Sequence, residues 1–169
     1  MIVVEADVSE EWDSSTDWAQ LARAAVRAAV AQGGAAGLLE SGLTAEVSVR
    51  FTSDEEVKGL NAAWRGKDKA TNVLSFPMVE PDHLESLARA DGGEALLGDI
   101  VLAHGICAAE AAEKDLQICT HAAHLVVHGA LHLLGFDHEP GDEEAETMED
   151  AERRALAALG IADPYEIHH

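Results

Sequence analysis

Residues 128–138, HGALHLLGFDH, constrain the fold of this chain more than any other stretch of its 169 residues. The spacing H-x-x-x-H predicts a helix that carries His128 and His132 on one face, one turn apart. Gly135 is typical of a residue that ends such a helix, and a chain that turns back after it brings His138 towards the other two rings. Three neutral imidazoles on Zn²⁺ leave a fourth position open for water, which is the arrangement of a catalytic zinc site. The sequence therefore predicts a metal centre built on a helix and the turn after it.

Three neighbouring residues bear on this predicted centre. Asp137 either orients a ligand ring through a hydrogen bond or is a solvated turn residue, and the sequence leaves both interpretations open. His121 and His124 lie on the same helix face as His128 and could extend the site. A metal held only by histidines would, however, lose its open position.

The same histidine spacing occurs in the metzincin peptidases, which have a glutamate, their general base, directly after the first histidine. Gly129 occupies that position here, so the sequence argues against peptide hydrolysis by that mechanism. A glycine inside a helix costs about 1 kcal/mol relative to alanine. We interpret Gly129 as a residue that leaves room beside the metal.

The charge balance is strongly acidic, with 11 basic against 32 acidic residues and a net charge of −21. This balance argues against broad, non-specific binding to nucleic acid or anionic membranes, although a local basic site remains compatible with it. No stretch approaches the roughly 18 apolar residues of a membrane span, and the first residues turn acidic too early for a signal peptide. The two cysteines, Cys107 and Cys119, match no redox or disulfide pattern, so we expect buried thiols in a reducing cytoplasm.

The length of the chain suits one domain over residues 1–169, and its periodicity predicts an α+β (α/β-like) fold in which a small four-stranded mixed sheet carries about five helices. The predicted strands are 2–8, 45–51, 72–76 and 98–103, and the predicted helices are 15–32, 54–64, 105–114, 116–134 and 142–159. Ser53 and Glu56 form a capping box at the second helix. Residues 45–76 should make a right-handed parallel crossover. Residues 78–96 read as a long acidic loop that is either mobile or functional.

A second informative stretch is WRGKDKATNVLSFP, residues 64–77. Arg65, Lys67 and Lys69 are three of only 11 basic residues, and their concentration before a predicted strand indicates an anion site. The planar guanidinium of arginine suits phosphate. An ordinary charged turn is the alternative interpretation.

Three segments, RGKDKATNVLSFP, LGDIVLA and HGALHLLGFDH, follow one another in an order that resembles the YbeY family of bacterial metal-dependent endoribonucleases. The resemblance covers about residues 45–155. Ala70 stands where the family often has proline, which should loosen that loop slightly. The resemblance implies that His128, His132 and His138 are the metal ligands, and it matches Arg65 to the family's functionally important arginine.

The function implied by this resemblance is cleavage of single-stranded RNA in ribosomal RNA maturation, at the 3′ end of the small-subunit rRNA, and in ribosome quality control. One Zn²⁺ per chain would bind a phosphate oxygen or activate water, Arg65 would stabilise charge on the phosphoryl group, and Lys67 and Lys69 would bind RNA. Expected partners are RNA and the ribosome or a small-subunit ribosomal protein, in the cytoplasm. Screening over about 8 Å lets a local positive cleft persist on an acidic protein. The alternatives are a metallohydrolase of another phosphoester or a peptide, and a non-enzymatic ribosome-associated factor with structural zinc.

Overall fold

The computed structural model describes residues 1–136 and 142–162. Its centre is a sheet of four strands, which in chain order are β1 (Ile2–Val8), β2 (Thr44–Thr52), β3 (Val73–Pro77) and β4 (Glu94–Ala103). Their order across the sheet is β1-β2-β4-β3; β1, β2 and β4 are parallel, and β3 runs antiparallel to β4 at one edge. The predicted α+β class and four-stranded mixed sheet are therefore confirmed.

The helices of the described residues surround this sheet. They are α1 (Trp18–Gln32), α2 (Gly37–Glu40), α3 (Asp54–Arg65), α4 (Leu84–Ala88), α5 (His104–Glu113), α6 (Ile118–Leu133) and α7 (Asp142–Ala158). The five predicted helices are present, and α2 and α4 are additional because helices of four and five residues are too short for periodicity to reveal. None of the helices in the described ranges combines the length and the apolar character that a bilayer crossing requires.

The sheet separates two hydrophobic cores. The larger core lies between one face of the sheet and helices α1, α6 and α7, and it includes Ile100 and Leu102 of β4. The smaller core lies on the other face under α3, and it includes Val57 and Val101. Because β3 is the edge strand, groups from α6 on one face and from Arg65 at the end of α3 on the other can meet beside it.

The predicted parallel crossover over residues 45–76 is wrong. β3 pairs with β4 in the antiparallel direction, and β4 inserts between β2 and β3. β2 is instead connected in parallel to β4, through α3, β3 and α4. Pro77, which ends β3, has no N–H for a sheet ladder and suits an edge position.

The segment 78–96, predicted as a long loop, is largely structured. A 3₁₀ turn leads into α4, where Leu84 and Leu87 pack against the larger core. β4 begins at Glu94, earlier than predicted. A β-bulge follows this start, where Leu97 has no partner in β2. The bulge breaks the period of two by which the start of the strand would be recognised.

The capping box at α3 is half formed. The Ser53 hydroxyl accepts the Glu56 backbone N–H at 3.1 Å, as predicted. The Glu56 carboxylate does not return to Ser53 but accepts from the Thr52 hydroxyl at 2.8 Å and from Arg50 at 2.6 Å. These hydrogen bonds, with that from Thr52 the strongest, lower the pKa of Glu56.

The two thiols differ in exposure. Cys107 is buried, and burial, followed by the nearby negative charge of Glu110, raises the pKa of its thiol to about 12. Cys119 is only partly buried, so the expectation of a buried thiol is wrong at this position. Its place in the first turn of α6 leaves one side open to solvent.

Candidate active site

Helix α6 brings His128 and His132 together at the open side of an otherwise buried helix. Their Nε2 atoms are 3.0 Å apart, and the His128 side chain is 20% exposed. The rings lie side by side, as their i, i+4 spacing predicts. Their role as metal ligands stays a prediction.

The end of α6 fixes the ring of His132. Gly135 has a φ of 99°, and its N–H donates to the His132 carbonyl at 3.0 Å, while the Phe136 N–H donates to the Leu131 carbonyl at 3.1 Å. This pair of bonds is the Schellman motif, so the prediction that Gly135 ends the helix is confirmed. The motif folds the Phe136 carbonyl back to 2.8 Å from His132 Nδ1, which donates to it.

A buried carboxylate fixes the ring of His128. Glu152 of α7 is 0% exposed, and its Oε1 lies 2.6 Å from His128 Nδ1. Its Oε2 lies 2.9 Å from Nε2 of His124, so that ring is directed at Glu152. An ionised carboxylate only accepts hydrogen bonds, and therefore Nδ1 of His128 carries the proton.

When both rings are neutral, the two Nε2 atoms face one another without protons of their own. In a neutral imidazole whose Nδ1 donates, Nε2 holds a lone pair, and two lone pairs at 3.0 Å repel unless a cation lies against both. Two histidine nitrogens on a tetrahedral zinc ion are about 3.3 Å apart, from Zn–N bonds of about 2.0–2.1 Å. A carboxylate that holds the Nδ1–H of a metal-binding ring, as Glu152 holds that of His128, raises the basicity of the ring. The donor set of His128 and His132 therefore fits Zn²⁺.

The other two members of the predicted centre, His138 and Asp137, lie outside the described residues. Within residues 1–136 and 142–162, no group of three or more His, Cys, Asp or Glu side chains is placed to hold a metal ion. The structure thus describes two of the three predicted ligands.

Sequence reasoning missed Glu152, although the sequence carries a signal for it. The buried face of α7 consists otherwise of small and apolar residues, namely Met148, Ala151, Ala155 and Leu156. Glu152 interrupts this face. A carboxylate is almost never fully buried without a partner, so a glutamate within such a face indicates one.

His121, which the sequence suggested as an extension of the site, belongs to a separate buried pair. Its Nε2 lies 2.8 Å from Oε1 of Glu110, which also accepts from the Asn72 side chain at 3.0 Å. Burial lowers the pKa of His121 and outweighs the hydrogen bond to Glu110, which raises that pKa. Burial raises the pKa of Glu110, but the hydrogen bonds from His121 and Asn72 together outweigh burial, so the pKa is lowered overall. The pair is therefore a neutral histidine that donates to an ionised glutamate.

An open cleft of about 800 Å³ joins the histidine pair to the arginine of the basic loop. His128 and His132 line it from α6, Ser75 lines it from β3, and Arg65 lines it from the end of α3. Among the described residues that line the cleft, Arg65 carries a permanent charge and none is a carboxylate. The cleft is therefore suited to an anion in an otherwise acidic protein.

Lys67 and Lys69 are exposed beside this cleft but are not among the described residues that line it. Buried Asn61 anchors their loop: its side chain donates to the Lys69 carbonyl at 2.9 Å, and its carbonyl accepts the Lys67 N–H at 3.2 Å. The role of both lysines in RNA binding stays a prediction.

The structure explains the glycine at position 129 differently from the sequence interpretation, which was room beside the metal. A Cβ at this position would lie 2.9 Å from Cγ2 of Ile100 in β4. The glycine therefore permits close packing of α6 on the sheet, although it also lines the cleft. The room that it leaves is mainly against the sheet.

Comparison with known proteins gives a consistent result. The family described as Endoribonuclease YbeY matches residues 6–160. An Endoribonuclease YbeY of Rhizorhabdus wittichii is 55% identical over 99% of this chain and 98% of its own length. The protein of the same name from Sphingopyxis alaskensis is 53% identical over 98% of both chains.

A solved structure agrees at the level of the fold. The solution structure of a Thermotoga maritima protein, 24% identical, covers 98% of this chain and 100% of its own with a TM-score of 0.54. With the family match and the two close relatives, the assignment rests on nearly the whole chain. The chain belongs to the YbeY endoribonuclease family.

Proposed function

We propose that this protein is a zinc-dependent endoribonuclease that cleaves single-stranded RNA during ribosomal RNA maturation. The observation that carries the proposal is the cleft that Arg65 shares with the converging Nε2 atoms of His128 and His132. The names of the close relatives support the reaction class.

The proposed ligands of the zinc ion are His128, His132 and His138. When bound, zinc supplies a Lewis acid for a phosphate oxygen and lowers the pKa of a coordinated water. The chain prepares the two described ligands through Glu152 and the Phe136 carbonyl, which hold both Nδ1 protons and leave both Nε2 lone pairs directed at one point.

Arg65 has the role of the phosphate-binding group. Its guanidinium offers two parallel N–H donors to two phosphoryl oxygens, which positions the scissile bond and stabilises the charge that builds up on it. Ser75 lines the same cleft and offers a hydroxyl donor. Lys67 and Lys69 extend the positive potential outward along the loop and attract the strand.

The family resemblance extends the proposal to a biological setting. We assign the activity to the 3′ end of the small-subunit rRNA and to ribosome quality control in the cytoplasm, with the ribosome or a small-subunit ribosomal protein as partner. A partner that delivers the RNA would offset the repulsion from a net charge of −21.

The test is metal quantification of the purified protein followed by cleavage of a single-stranded RNA. We expect about one zinc ion per chain, and we expect His132→Ala to lose both metal and cleavage. His83→Ala is the matched control, because His83 is exposed and lies outside the cleft lining. Cleavage that survives in metal-free His132→Ala, or a metal-loaded wild type that cleaves no RNA, would reject the proposal.

A further inference from the structure

A second, smaller pocket of about 230 Å³ opens beside the cleft. The two cavities share Trp64, Phe76 and Met78 as walls. The strand register places Ser48, Asp99 and Phe76 side by side across β2, β4 and β3, so the floor of this pocket is the sheet face on the α3 side. A molecule bound in the cleft can therefore reach this pocket over a common wall.

Two of the large apolar side chains in the shared wall are exposed to solvent. Trp64 is 74% exposed and Met78 is 57% exposed, whereas the other two tryptophans, Trp12 and Trp18, are 2% and 3% exposed. Large apolar side chains that are exposed together at a cavity indicate a binding surface. An accessible indole beside a phosphate site is a stacking platform for a flat aromatic ring.

The floor of the pocket offers one carboxylate, Asp99, and one hydroxyl, Ser48, whereas Arg50, which also lines the pocket, is already paired with Glu56 at 2.6 Å and with Asp7 at 3.8 Å. Asp99 and Ser48 are half-buried, and within the described residues neither side chain has a hydrogen-bond or ion-pair partner. A carboxylate beside apolar walls repels a phosphate but accepts N–H donors. The pocket is therefore complementary to a flat ring that has N–H groups on its edge.

We infer that this pocket is a subsite for one unpaired nucleobase of the strand whose phosphate binds at Arg65. The inference rests on the proposed function. The base stacks on Trp64, and its edge donates to Asp99. A paired base has both its donors and its stacking faces occupied, so the subsite selects single strands. Guanine presents two adjacent N–H donors to the two carboxylate oxygens and uracil presents one, so guanine binds more tightly here.

The direct test is tryptophan fluorescence of chelator-treated wild-type protein, titrated with a six-nucleotide single-stranded RNA that contains guanine. Because Trp12 and Trp18 are buried, quenching reports on Trp64. We expect quenching by the base-containing strand and none by a strand of the same length with abasic positions. Equal binding of the two strands would overturn the inference.

Variants separate the two contacts. Trp64→Leu should abolish the quenching and, by a fluorescence-independent binding assay, raise Kd about fivefold to a hundredfold, the scale of one lost stacking contact. Asp99→Asn should reduce the preference for guanine over uracil strands. Leu116→Ala, which removes an exposed leucine away from both cavities, is the matched control. An unchanged Kd in Trp64→Leu, or equal guanine and uracil affinities in the wild type, would overturn the subsite.

The same assays distinguish this inference from the proposed function. Base-dependent quenching without cleavage by zinc-loaded protein would reject the nuclease activity and keep the subsite. Equal cleavage of base-containing strands and strands with one abasic position near the scissile phosphate would reject the subsite and keep the nuclease activity.

Discussion

At the scale of single residues, Glu152 determines how His128 is presented. One carboxylate with no exposed surface holds His124 and His128 through its two oxygens. Such partners fix the tautomer and the orientation of a metal-binding ring and raise its basicity. The quality of the proposed zinc site therefore depends on a residue that lies on a different helix from the ligands.

The first prediction concerns this carboxylate. Glu152→Gln should lower zinc affinity about tenfold to a hundredfold, because an amide oxygen is a weaker acceptor for the His128 N–H and carries no charge. Competition with a chromophoric chelator measures this affinity. Glu146→Gln, on the exposed side of α7, is the control and should bind zinc like the wild type. Wild-type affinity in Glu152→Gln would contradict the positioning role.

The second prediction concerns His121 and pH. Its pKa is lowered mainly by burial, so the unfolded chain takes up the proton first and the free energy of unfolding falls as pH drops through about 6.5. The lowered pKa of Glu110 adds a further loss as pH falls through its unfolded value of 4.5. In urea unfolding with chelator present, His121→Gln should lose less stability than the wild type between pH 7.5 and 5.5. Equal losses would show that His121 does not carry this dependence.

At the scale of elements, α6 is held by close packing on the sheet and by its C-terminal turn. Gly129 allows the helix to pack closely on Ile100 of β4. Gly135, at the end of the helix, packs against Pro81, whose Cγ would lie 2.8 Å from a Cβ added at position 135. These two glycines therefore set the position of the intervening His132 relative to β3 and the cleft.

The third prediction compares two glycines that lie inside helices. Gly129→Ala should gain about 1 kcal/mol of helix propensity but lose about 1–3 kcal/mol to overpacking against Ile100, so the variant should not be stabilised and should lose up to about 2 kcal/mol. Gly59→Ala in α3 has nothing within 4 Å of the added Cβ and should gain up to about 1 kcal/mol. Urea unfolding measures the free energy of unfolding of both variants. A stabilised Gly129→Ala would contradict the proposed close packing of Gly129 on Ile100.

The sequence could predict those elements whose determinants are local. The i, i+4 histidines and the helix-ending Gly135 follow from helix geometry, and both are found as predicted. The direction of β3 could not be predicted, since it depends on which strand inserts beside β2. The contact between Glu152 and His128 joins positions that are distant in the sequence. Gly129 was misread because its neighbour, Ile100, comes from a strand that the helix pattern does not specify.

At the scale of the whole molecule, a net charge of −21 must coexist with binding to a polyanion. The local charge of the cleft differs from the net charge of the chain. The described lining of the cleft contains Arg65 and no carboxylate, and the loop that follows Arg65 carries the exposed Lys67 and Lys69. Salt screens distant acidic residues more than the groups in contact with the strand.

The fourth prediction follows from this arrangement. Combined Lys67→Ala and Lys69→Ala should weaken binding of single-stranded RNA and reduce the slope of log K against log salt by about 1.4, which is about 0.7 for each lost phosphate contact. Arg27→Ala, an exposed position on α1, should leave the slope unchanged. Filter binding at several salt concentrations measures both slopes, and an unchanged slope in the double variant would exclude the lysines from the RNA contact.

The central claim is that one cleft combines a histidine-held metal with an arginine that stabilises the phosphoryl group. Single-turnover cleavage of a single-stranded RNA by Arg65→Ala, with zinc quantified in the same preparation, tests it most directly. We expect full zinc content and a cleavage rate lowered about a hundredfold or more, the scale of losing one positioned electrostatic donor, with partial recovery in Arg65→Lys. A zinc-loaded Arg65→Ala protein that cleaves at the wild-type rate would contradict it.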